Sequence, residues 1–312
     1  MRRYTIGRLL AAIPTALGVA TLVFMLIHIM PGDPVEVMLG ESSRPTDRVA
    51  LRAHLGLDRP LAQQYATFLA GLARGSLGQS LHSQRDVTTI LAEHAPATAQ
   101  LALAALAMAL ALAIPAGLLS AYKPGSLTDR LCLSLSLGGV AVPNFWLGPM
   151  LIMVFSISLG WLPVSGRGSP AHLLLPAFTL GAGMAGILTR MTRTTVLEAL
   201  GQDYIRTARC KGASELSVVS KHALKNALTP LISVVGLQLG SVLAGSVITE
   251  TVFAWPGIGR LLVHAINTRD YPVVQGCVLL IAVTYLVVNL VADLAYAWAN
   301  PRIRYAVQND ED

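Results

Sequence analysis

Charged residues are scarce in this chain of 312 residues: 13% of them are Asp, Glu, Lys or Arg, against 54% that are hydrophobic. Soluble globular domains carry about a quarter charged residues, so this composition excludes an ordinary soluble domain and favours an all-α protein with several membrane spans. Cysteine is nearly absent. Because Cys132, Cys210 and Cys277 lie far apart in sequence, we expect neither a structural disulfide nor a metal site.

Several enzyme motifs are also missing. No Gly-x-x-x-x-Gly-Lys-Ser/Thr loop occurs, so we predict no ATP binding by this chain in the P-loop manner, and any ATP chemistry belongs to a partner. The seven histidines form no His-Glu-x-x-His pair, and they lie at the ends of apolar runs or in loops. We therefore predict no catalytic residue and no cofactor in this chain, and a membrane hydrolase ranks well below a transport protein. The net charge of +6 accompanies no recognised nucleic-acid motif, so we expect no nucleic-acid partner.

Long apolar runs are what the chain has instead. A helix of about 20 apolar residues crosses the hydrocarbon core of a bilayer. Six runs of that kind predict six transmembrane helices at residues 9–30, 97–122, 131–159, 173–197, 228–248 and 273–299. Residues 31–96, between the first and second runs, form a mostly polar insertion. Within it an amphipathic pattern lies either along the membrane surface or under its own loop: Leu61, Tyr65, Phe68, Leu69 and Leu72.

The distribution of Lys and Arg predicts the orientation. Cytoplasmic segments of membrane proteins carry an excess of both residues. If the amino end is cytoplasmic, 14 of the 23 lie in inner segments, including all four lysines, and the long first loop holds six of the other nine. We therefore expect both ends of the chain in the cytoplasm, residues 31–96 outside, and residues 201–227 inside.

The stretch from Gly201 to Pro230 is a long polar and basic segment between two apolar runs. We expect the carboxylate of Asp203 to cap a short helix, and Gly212 to end that helix in a left-handed conformation. Ser214 then caps a second helix, whose predicted apolar face consists of Leu216, Val219, Ala223 and Ala227. Because a two-turn helix is barely stable alone in water, the first helix has to dock against something.

This segment carries a family resemblance. The run DYIRTARCKGASELSVVSKHALKNALTP at residues 203–230 resembles the cytoplasmic signature loop, or EAA loop, of the B-type permease subunit of bacterial dipeptide/oligopeptide ABC importers. The resemblance extends in order over essentially the whole chain. It is carried by IMPGDP at residues 29–34, LGLDRPLAQQY at 55–65, GSLGQSL at 75–81, VPNFW at 142–146, FAWPGIGRLL at 253–262, RDYPVVQ at 269–275 and NPRIRY at 300–305.

The resemblance implies that residues 203–212 form a coupling helix, which sits in a groove of a separate ATP-binding subunit. Arg206 and Thr207 stand where the older consensus has Glu and Ala, and only Ala208 and Gly212 match it. The alternative is a basic loop that binds anionic lipid headgroups, which needs charge but not this order of helix, glycine and helix. The candidate coupling residues are Asp203, Tyr204, Arg206, Thr207, Ala208, Arg209, Lys211 and Gly212.

A second group of candidates lies in the apolar runs. Gly236 and Gly240 form a Gly-x-x-x-Gly pair, Gly245 continues the small residues, and Gln238 offers an amide to an adjacent helix. Together with Asn144 they are candidates for helix packing or for the translocation path. The resemblance places the fifth run near a second permease subunit and that path, whereas packing within the chain explains the motif equally well.

Acidic and aromatic residues near the span ends have interpretations of their own. We expect Glu250 to be hydrated at the outer end of its span, and Trp255 and Tyr271 to lie in the headgroup zone. Asp293 and Asn289 are one helical turn apart on the last span. Structural hydrogen bonding is the preferred role for this pair, and a proton relay in a secondary carrier is the alternative.

As a whole, the resemblance implies a type I ABC importer permease in the bacterial inner membrane, folded as one transmembrane domain over residues 1–312. The implied partners are a homologous second permease, two ATP-binding subunits that hold ATP and Mg, an extracytoplasmic substrate-binding protein, and membrane lipid. The implied cargo is a di- or oligopeptide. Glutathione, or nickel and other metal chelates, are the alternatives within the same architecture.

Overall fold

A computed structural model describes residues 2–29, 35, 44–54, 56 and 58–299. Its α-helices are α1 Arg2–Ile29, α2 Pro45–His54, α3 Leu61–Ala73, α4 Val87–Tyr122, α5 Leu127–Ala141, α6 Asn144–Leu151, α7 Pro170–Leu200, α8 Asp203–Cys210, α9 Glu215–Ser217, α10 Leu224–Val252, α11 Ile258–Asn267 and α12 Tyr271–Ala299. Two π-helical segments, Ile152–Ser158 and Val218–Ala223, follow α6 and α9. These ranges contain no strand beyond one isolated bridge between Gln79 and Asp86, which confirms the helical fold class for this part of the chain. The carboxyl end, the motif NPRIRY and most of IMPGDP lie outside the described residues.

Three helices in the described ranges are long and apolar enough to cross a membrane: Val87–Tyr122, Pro170–Leu200 and Tyr271–Ala295. Two bent pairs of apolar helices raise the number to five if each pair counts as one crossing. In α1, the apolar stretch Leu10–Met25 is shorter than each of these three helices. The predicted number of six spans therefore stays a prediction.

The run at residues 131–159 is not one straight helix. Helices Leu127–Ala141 and Asn144–Ser158 meet at 107°. Pro143 explains the break, because the ring of a proline pushes the preceding residue out of the helical region. Val142 is accordingly extended, with φ −84° and ψ 118°.

One compact unit contains residues 99–255 together with 2–6 and 287–299. Its central element is α7, which packs against α5 and α10. Glycines let these helices approach closely. A Cβ added at Gly181 would lie 2.7 Å from the carbonyl oxygen of Ala105 in α4, and one added at Gly186 would collide with the carbonyl oxygen of Ser136 in α5.

The other unit contains residues 7–98 and 256–286. Here the amphipathic helix α3 packs on α1: the Tyr65 hydroxyl lies 2.7 Å from Oγ1 of Thr21, and the Tyr65 ring meets Phe24 edge-on at 5.2 Å. The amide of Gln275 in α12 donates to the carbonyl of Val23 at 3.1 Å. The apolar face of α3 is thus directed at α1, and helices 1, 3 and 12 form a small apolar cluster in this unit.

The same unit holds a polar contact between two turns, which we call the Ser80–Asp270 clasp. Asp270 is 5% exposed, and its carboxylate accepts hydrogen bonds from Oγ of Ser80 at 2.6 Å and from the backbone of Leu81 at 3.2 Å. Nε2 of His82 lies 2.7 Å from the carbonyl oxygen of Thr268. The clasp joins two motifs that the sequence places far apart, GSLGQSL and RDYPVVQ.

Three expectations about the span ends are wrong. Trp255 and Tyr271 are 1% and 2% exposed, so neither anchors the chain in a headgroup zone. Glu250 is fully buried instead of hydrated. Tertiary packing explains the position of Trp255, because the Arg167 guanidinium covers its ring at 5.8 Å and the neighbouring Phe253 carbonyl accepts a bond from Gly166 at 2.9 Å.

Candidate coupling segment

Helix α8 begins differently from the expectation. Its N-cap is Gln202, which makes no side-chain capping bond, and Asp203 is the first helical residue. The predicted cap by Asp203 is therefore wrong. A carboxylate in the first turn still interacts favourably with the positive end of the helix dipole, and the exposed Asp203 side chain lies 3.7 Å from Arg206.

The end of α8 is as expected. Gly212 has φ +82° and follows the C-cap residue Lys211. The backbone N–H of Gly212 donates to the carbonyl of Arg209 at 2.9 Å, and that of Ala213 donates to Ala208 at 3.2 Å. This pair of bonds is a Schellman motif, in which glycine is favoured because the left-handed region costs it nothing. The left-handed stop at Gly212 is confirmed.

The inner side of α8 packs against this chain. Ile205 is fully buried and Ala208 is 8% exposed. Ile205 belongs to a cluster with the ends of α4 and α7 and the beginning of the next helical stretch: Ala121, Val196, Ala199, Val218, Val219, Ala223 and Ala227. The docking surface for the inner side of the helix is therefore the core of its own chain.

The outer side of α8 is open. Tyr204 is 39% exposed, and the other outward residues, which include most of the predicted coupling set, are also exposed: Asp203, Arg206, Thr207, Arg209, Cys210, Lys211 and Gly212. These side chains carry more positive than negative charge. The structure thus brings the predicted coupling residues onto one surface, apart from Ala208.

An ion pair spans the turn at Gly212. Nε and Nη2 of Arg209 donate to the two carboxylate oxygens of Glu215 at 2.7 and 3.1 Å. The hydrogen bond from Arg209 lowers the pKa of the Glu215 carboxyl, and the same bond raises the pKa of the Arg209 guanidinium. Both arms of the fork-shaped guanidinium are engaged, so the pair links the end of α8 to the start of α9.

The second helix is only partly as expected. Oγ of Ser214 accepts from the backbone of Ser217 at 3.4 Å, which confirms the predicted cap. Val219, Ala223 and Ala227 are buried, but Leu216 is 72% exposed and is wrongly placed on the apolar face. The π-helical segment Val218–Ala223 follows Leu216 and has more residues per turn than an α-helix. Spacing counted at 3.6 residues per turn therefore misplaces Leu216 relative to the residues that lie within and beyond this segment.

A buried ion pair joins α7 to the start of α5, and no spacing rule in the sequence indicates it. Nε and Nη2 of Arg193 in α7 each donate to the carboxylate of Asp129 at 2.8 Å. Asp129 is 2% exposed, and it also accepts from the Ser120 hydroxyl and, at 2.8 Å, from the backbone of Gly125. One carboxylate thus joins the end of α4, the next turn, the start of α5 and the helix that leads into α8.

The residues predicted for helix packing or for the translocation path lie in two different places. Gly245 of α10 lies beside Asn144, since a Cβ added to this glycine would lie 3.6 Å from Nδ2 of Asn144. Gly236 lies against α12, where an added Cβ would collide with the methyl group of Ala292. Gly240 is buried and Gln238 half-buried. Gly236 therefore packs on a helix of its own chain, while a role in the path stays a prediction.

Family models match nearly the whole chain. The model described as "Binding-protein-dependent transport system inner membrane component" matches residues 113–305, and the one described as "Binding-prot-dependent transport system membrane comp, N-term" matches residues 1–102. The chain belongs to this family of membrane components of binding-protein-dependent transport systems, and it functions as a permease of a binding-protein-dependent ABC importer.

Three similar proteins are permeases of peptide or glutathione transport systems. The chain is 46% identical to the di/tripeptide transport system permease protein DppB of Pseudomonas aeruginosa, over 98% of this chain and 99% of that protein. It is 42% identical to the dipeptide transport system permease protein DppB of Escherichia coli K12, over 98% and 99%. It is also 42% identical to the glutathione transport system permease protein GsiC of the same strain, over 98% and 100%. The resemblance to B-type peptide importer permeases is confirmed.

The fold has a counterpart among solved structures. One chain of the MetNI methionine ABC transporter, in an inward-facing conformation, superposes with a TM-score of 0.55 at 20% identity. The match covers 68% of this chain and 96% of that chain. At this identity the likeness establishes the fold alone.

Proposed function

We propose that this chain is one of two permease subunits of an importer in the bacterial inner membrane. It forms a single transmembrane domain over residues 1–312, with six spans and both ends in the cytoplasm. Residues 31–96 are the extracytoplasmic insertion, and residues 201–227 are the cytoplasmic coupling loop. The partners are a homologous second permease, two ATP-binding subunits that hold ATP and Mg, and an extracytoplasmic substrate-binding protein.

The observation that carries this proposal is the two-sided character of α8. Its inner residues Ile205 and Ala208 are anchored in the core of the chain, whereas its outer surface is exposed and basic. A helix anchored in this way moves together with α7 and α10 when a partner pushes on its outer surface. Tyr204, Arg206, Thr207 and Lys211 contact the ATP-binding subunit, while Arg209 and Gly212 set the direction of the turn. Closure of the ATP-binding subunits then reorients the spans, which accept solute from outside and release it inside.

The proposed cargo is a di- or oligopeptide, supported by the names of the two DppB relatives. Glutathione is the second candidate, because the GsiC relative is 42% identical over a similar length. Nickel or another metal chelate would use the same architecture. A proton-coupled carrier that relies on Asp293 ranks below these three.

Reconstitution tests the transport class. The isolated chain in proteoliposomes should show neither ATPase activity nor uptake, and both should appear when the second permease, the ATP-binding subunits and the binding protein are added. Uptake by the chain alone that collapses with the proton gradient and with Asp293→Asn would contradict the proposal and favour a secondary carrier.

Competition tests the cargo. Uptake of a radiolabelled dipeptide by the complete importer should be inhibited by unlabelled di- and tripeptides at lower concentrations than by glutathione or a nickel chelate. The reverse order would assign the importer to glutathione or to chelates without changing the transport class.

A further inference from the structure

The buried carboxylate of Asp129 connects several helices near the end of α7. It accepts four hydrogen bonds: one from the Ser120 hydroxyl in α4, one from the backbone of Gly125 in the following turn, and two from the Arg193 guanidinium in α7. A carboxylate has about four acceptor positions, so this one is fully engaged. We call Ser120, Gly125, Asp129 and Arg193 the Asp129 junction. Because Asp129 lies in the first turn of α5, the junction ties α4, α5 and α7 to one another.

The junction adjoins the surface on which α8 is anchored. Ala121 directly follows Ser120 in α4, and Val196 lies about one turn after the arginine of the junction in α7. Both Ala121 and Val196 belong to the apolar cluster that contains Ile205 of α8. Among the described residues this cluster includes none from α5. The junction therefore links the region that anchors α8 to the nearest end of α5.

Close packing also brings α4 and α5 against α7. A Cβ added at Gly117 in α4 would collide with the side chain of Thr192 and lie 2.9 Å from the carbonyl oxygen of Thr189. Farther along α7, Gly186 lies against the carbonyl of Ser136 in α5. Apolar contacts are not directional, whereas paired bonds from a guanidinium to a carboxylate specify both distance and angle. The junction therefore fixes where α4 and α5 are placed along α7.

Stability alone does not explain a buried ion pair at this place. Removing two charges from water offsets most of their mutual attraction, and apolar side chains of similar volume are often equally stabilising. Within the described residues Arg193 has no other acidic partner, and Glu198 on the same helix is exposed. An arrangement of helices that separated Asp129 from Arg193 would leave a buried charge unpaired. The pair therefore selects one arrangement of these helices over others.

We propose that Asp129 and Arg193 are positioning residues for transport, and that the junction makes α4 and α5 follow α7 and α8 when an ATP-binding subunit displaces α8. This inference deepens the proposed function and rests on it. Neither residue contacts cargo or nucleotide in this role. Without the junction α7 and α8 still move, but α4 and α5 do not follow completely, so ATP is hydrolysed without full reorientation of the spans.

Replacement of the whole polar group tests this role. The complete importer in proteoliposomes is supplied with binding protein that carries a radiolabelled dipeptide, and dipeptide uptake and the ATP hydrolysis stimulated by the binding protein are measured in the same vesicles. A triple variant with Ser120→Ala, Asp129→Leu and Arg193→Met should unfold at a temperature close to that of the wild type, because apolar packing replaces the buried charges. The stimulated ATP hydrolysis per dipeptide should nevertheless rise by about tenfold, which lies in the usual range of coupling between two sites. A purely structural role would not change this ratio, since the ratio does not depend on the amount of folded importer.

A double-mutant cycle gives the same test if the triple variant does not fold. Asp129→Asn and Arg193→Gln should each raise the ratio of ATP to dipeptide, and both together should raise it no further, because residues that act as one unit are not additive. Arg193→Lys should have a smaller effect, since it keeps the charge but not the paired bonds. Arg190→Gln is the matched control, because this exposed arginine lies about one turn earlier on α7 and forms no ion pair within the described residues. It should leave the ratio unchanged.

Four results would overturn the inference. An unchanged ratio in a stable triple variant would reduce the junction to a structural role. Additive effects of Asp129→Asn and Arg193→Gln would mean that Arg193 acts through another group, and an equal rise in Arg190→Gln would trace the effect to α7 in general. These three results leave the proposed function intact. Failure of the wild-type importer to take up a dipeptide, glutathione or a nickel chelate would overturn the proposed function together with the inference.

Discussion

Gly212 shows how one residue redirects the chain after helix α8. Its φ of +82° lies in the left-handed region, and a Cβ added there would meet no atom within 4 Å. The requirement is therefore one of backbone conformation and not of space. A β-branched side chain meets that requirement worst, because it is especially unfavourable at positive φ.

We predict that Gly212→Val reduces uptake strongly while membrane insertion is retained. The left-handed conformation costs a residue with a side chain about 1–2 kcal/mol, enough to change the direction of α8 relative to the next helix. Uptake by the complete importer, normalised to the amount of inserted protein, measures the effect. Gly201→Ala is the control, since Gly201 has φ −77° and an added Cβ there makes an ordinary contact. Equal uptake by both variants would contradict the prediction.

The Asp129–Arg193 pair leads to a prediction about stability. Arg193→Leu leaves a carboxylate that is 2% exposed without its cation. Removing one partner of a buried pair destabilises a fold by about 3–5 kcal/mol, and we expect the lower end because the Arg193 side chain is 24% exposed. Thermal unfolding of the purified chain in detergent measures this change. Arg190→Leu, an exposed arginine on the same helix, should have little effect, and a similar loss in both variants would show that the pair is unimportant.

Features that depend on near neighbours in sequence could be predicted, whereas those that depend on tertiary packing could not. The left-handed stop at Gly212 and the cap by Ser214 depend on neighbours within a few positions, so the sequence alone indicates both. Leu216 and Trp255 were misplaced because their exposure depends on a π-helical turn and on the packing of Arg167. Asp129 and Arg193 are 64 positions apart, and no spacing rule connects them.

At the scale of helices, glycines set the distances around α7. Gly181 and Gly186 face the backbones of α4 and α5, whereas Gly183, between them on the same helix, has its nearest neighbour 3.5 Å from an added Cβ. A side chain at the first two positions has to push a backbone away, which a well-packed interior resists.

We therefore predict that Gly186→Ala and Gly181→Ala each lower the stability of the chain by about 1–3 kcal/mol, as overpacking does elsewhere. Gly183→Ala should be close to neutral. Thermal unfolding in detergent compares the three variants. The prediction fails if Gly183→Ala is as harmful as the other two.

The turn between α8 and α9 should respond to pH through Glu215. Because the fold lowers the pKa of this carboxyl from its ordinary value of 4.5, the stabilisation is complete above that value and is lost as the pH falls through the lowered one. A double-mutant cycle of Arg209→Gln and Glu215→Gln should show coupling at neutral pH, decreasing with added salt because both side chains are exposed. Coupling that grows as the pH falls would contradict this sign.

For the whole molecule, the native cysteines report the orientation. Cys210 is exposed on α8, whereas Cys277 is buried. In cells that express this chain without its partners, a membrane-impermeant maleimide should label inside-out vesicles and not spheroplasts. Cys210→Ser should abolish most of that labelling. Labelling of spheroplasts that depends on Cys210 would place residues 201–227 outside and invert the topology.

Composition predicts the class of the molecule but not the path of each span. Scarce charge and long apolar runs indicate a membrane protein, which the family membership confirms. The 107° bend at Pro143 shows why spans cannot be counted from hydropathy alone, since an apolar run at residues 131–159 says nothing about its own direction. Pro143 indicates a break in the helix, and the angle is set by the helices around it.

The anchoring of α8 by Ile205 and Ala208 has a consequence for how the importer is assembled. In this structure α8 is folded on its own chain, so the docking that we propose does not have to include a folding step. Complexes between prefolded surfaces avoid the entropy loss of ordering a segment on binding. Under the proposed function, newly inserted permease would therefore present a finished surface to its ATP-binding subunit.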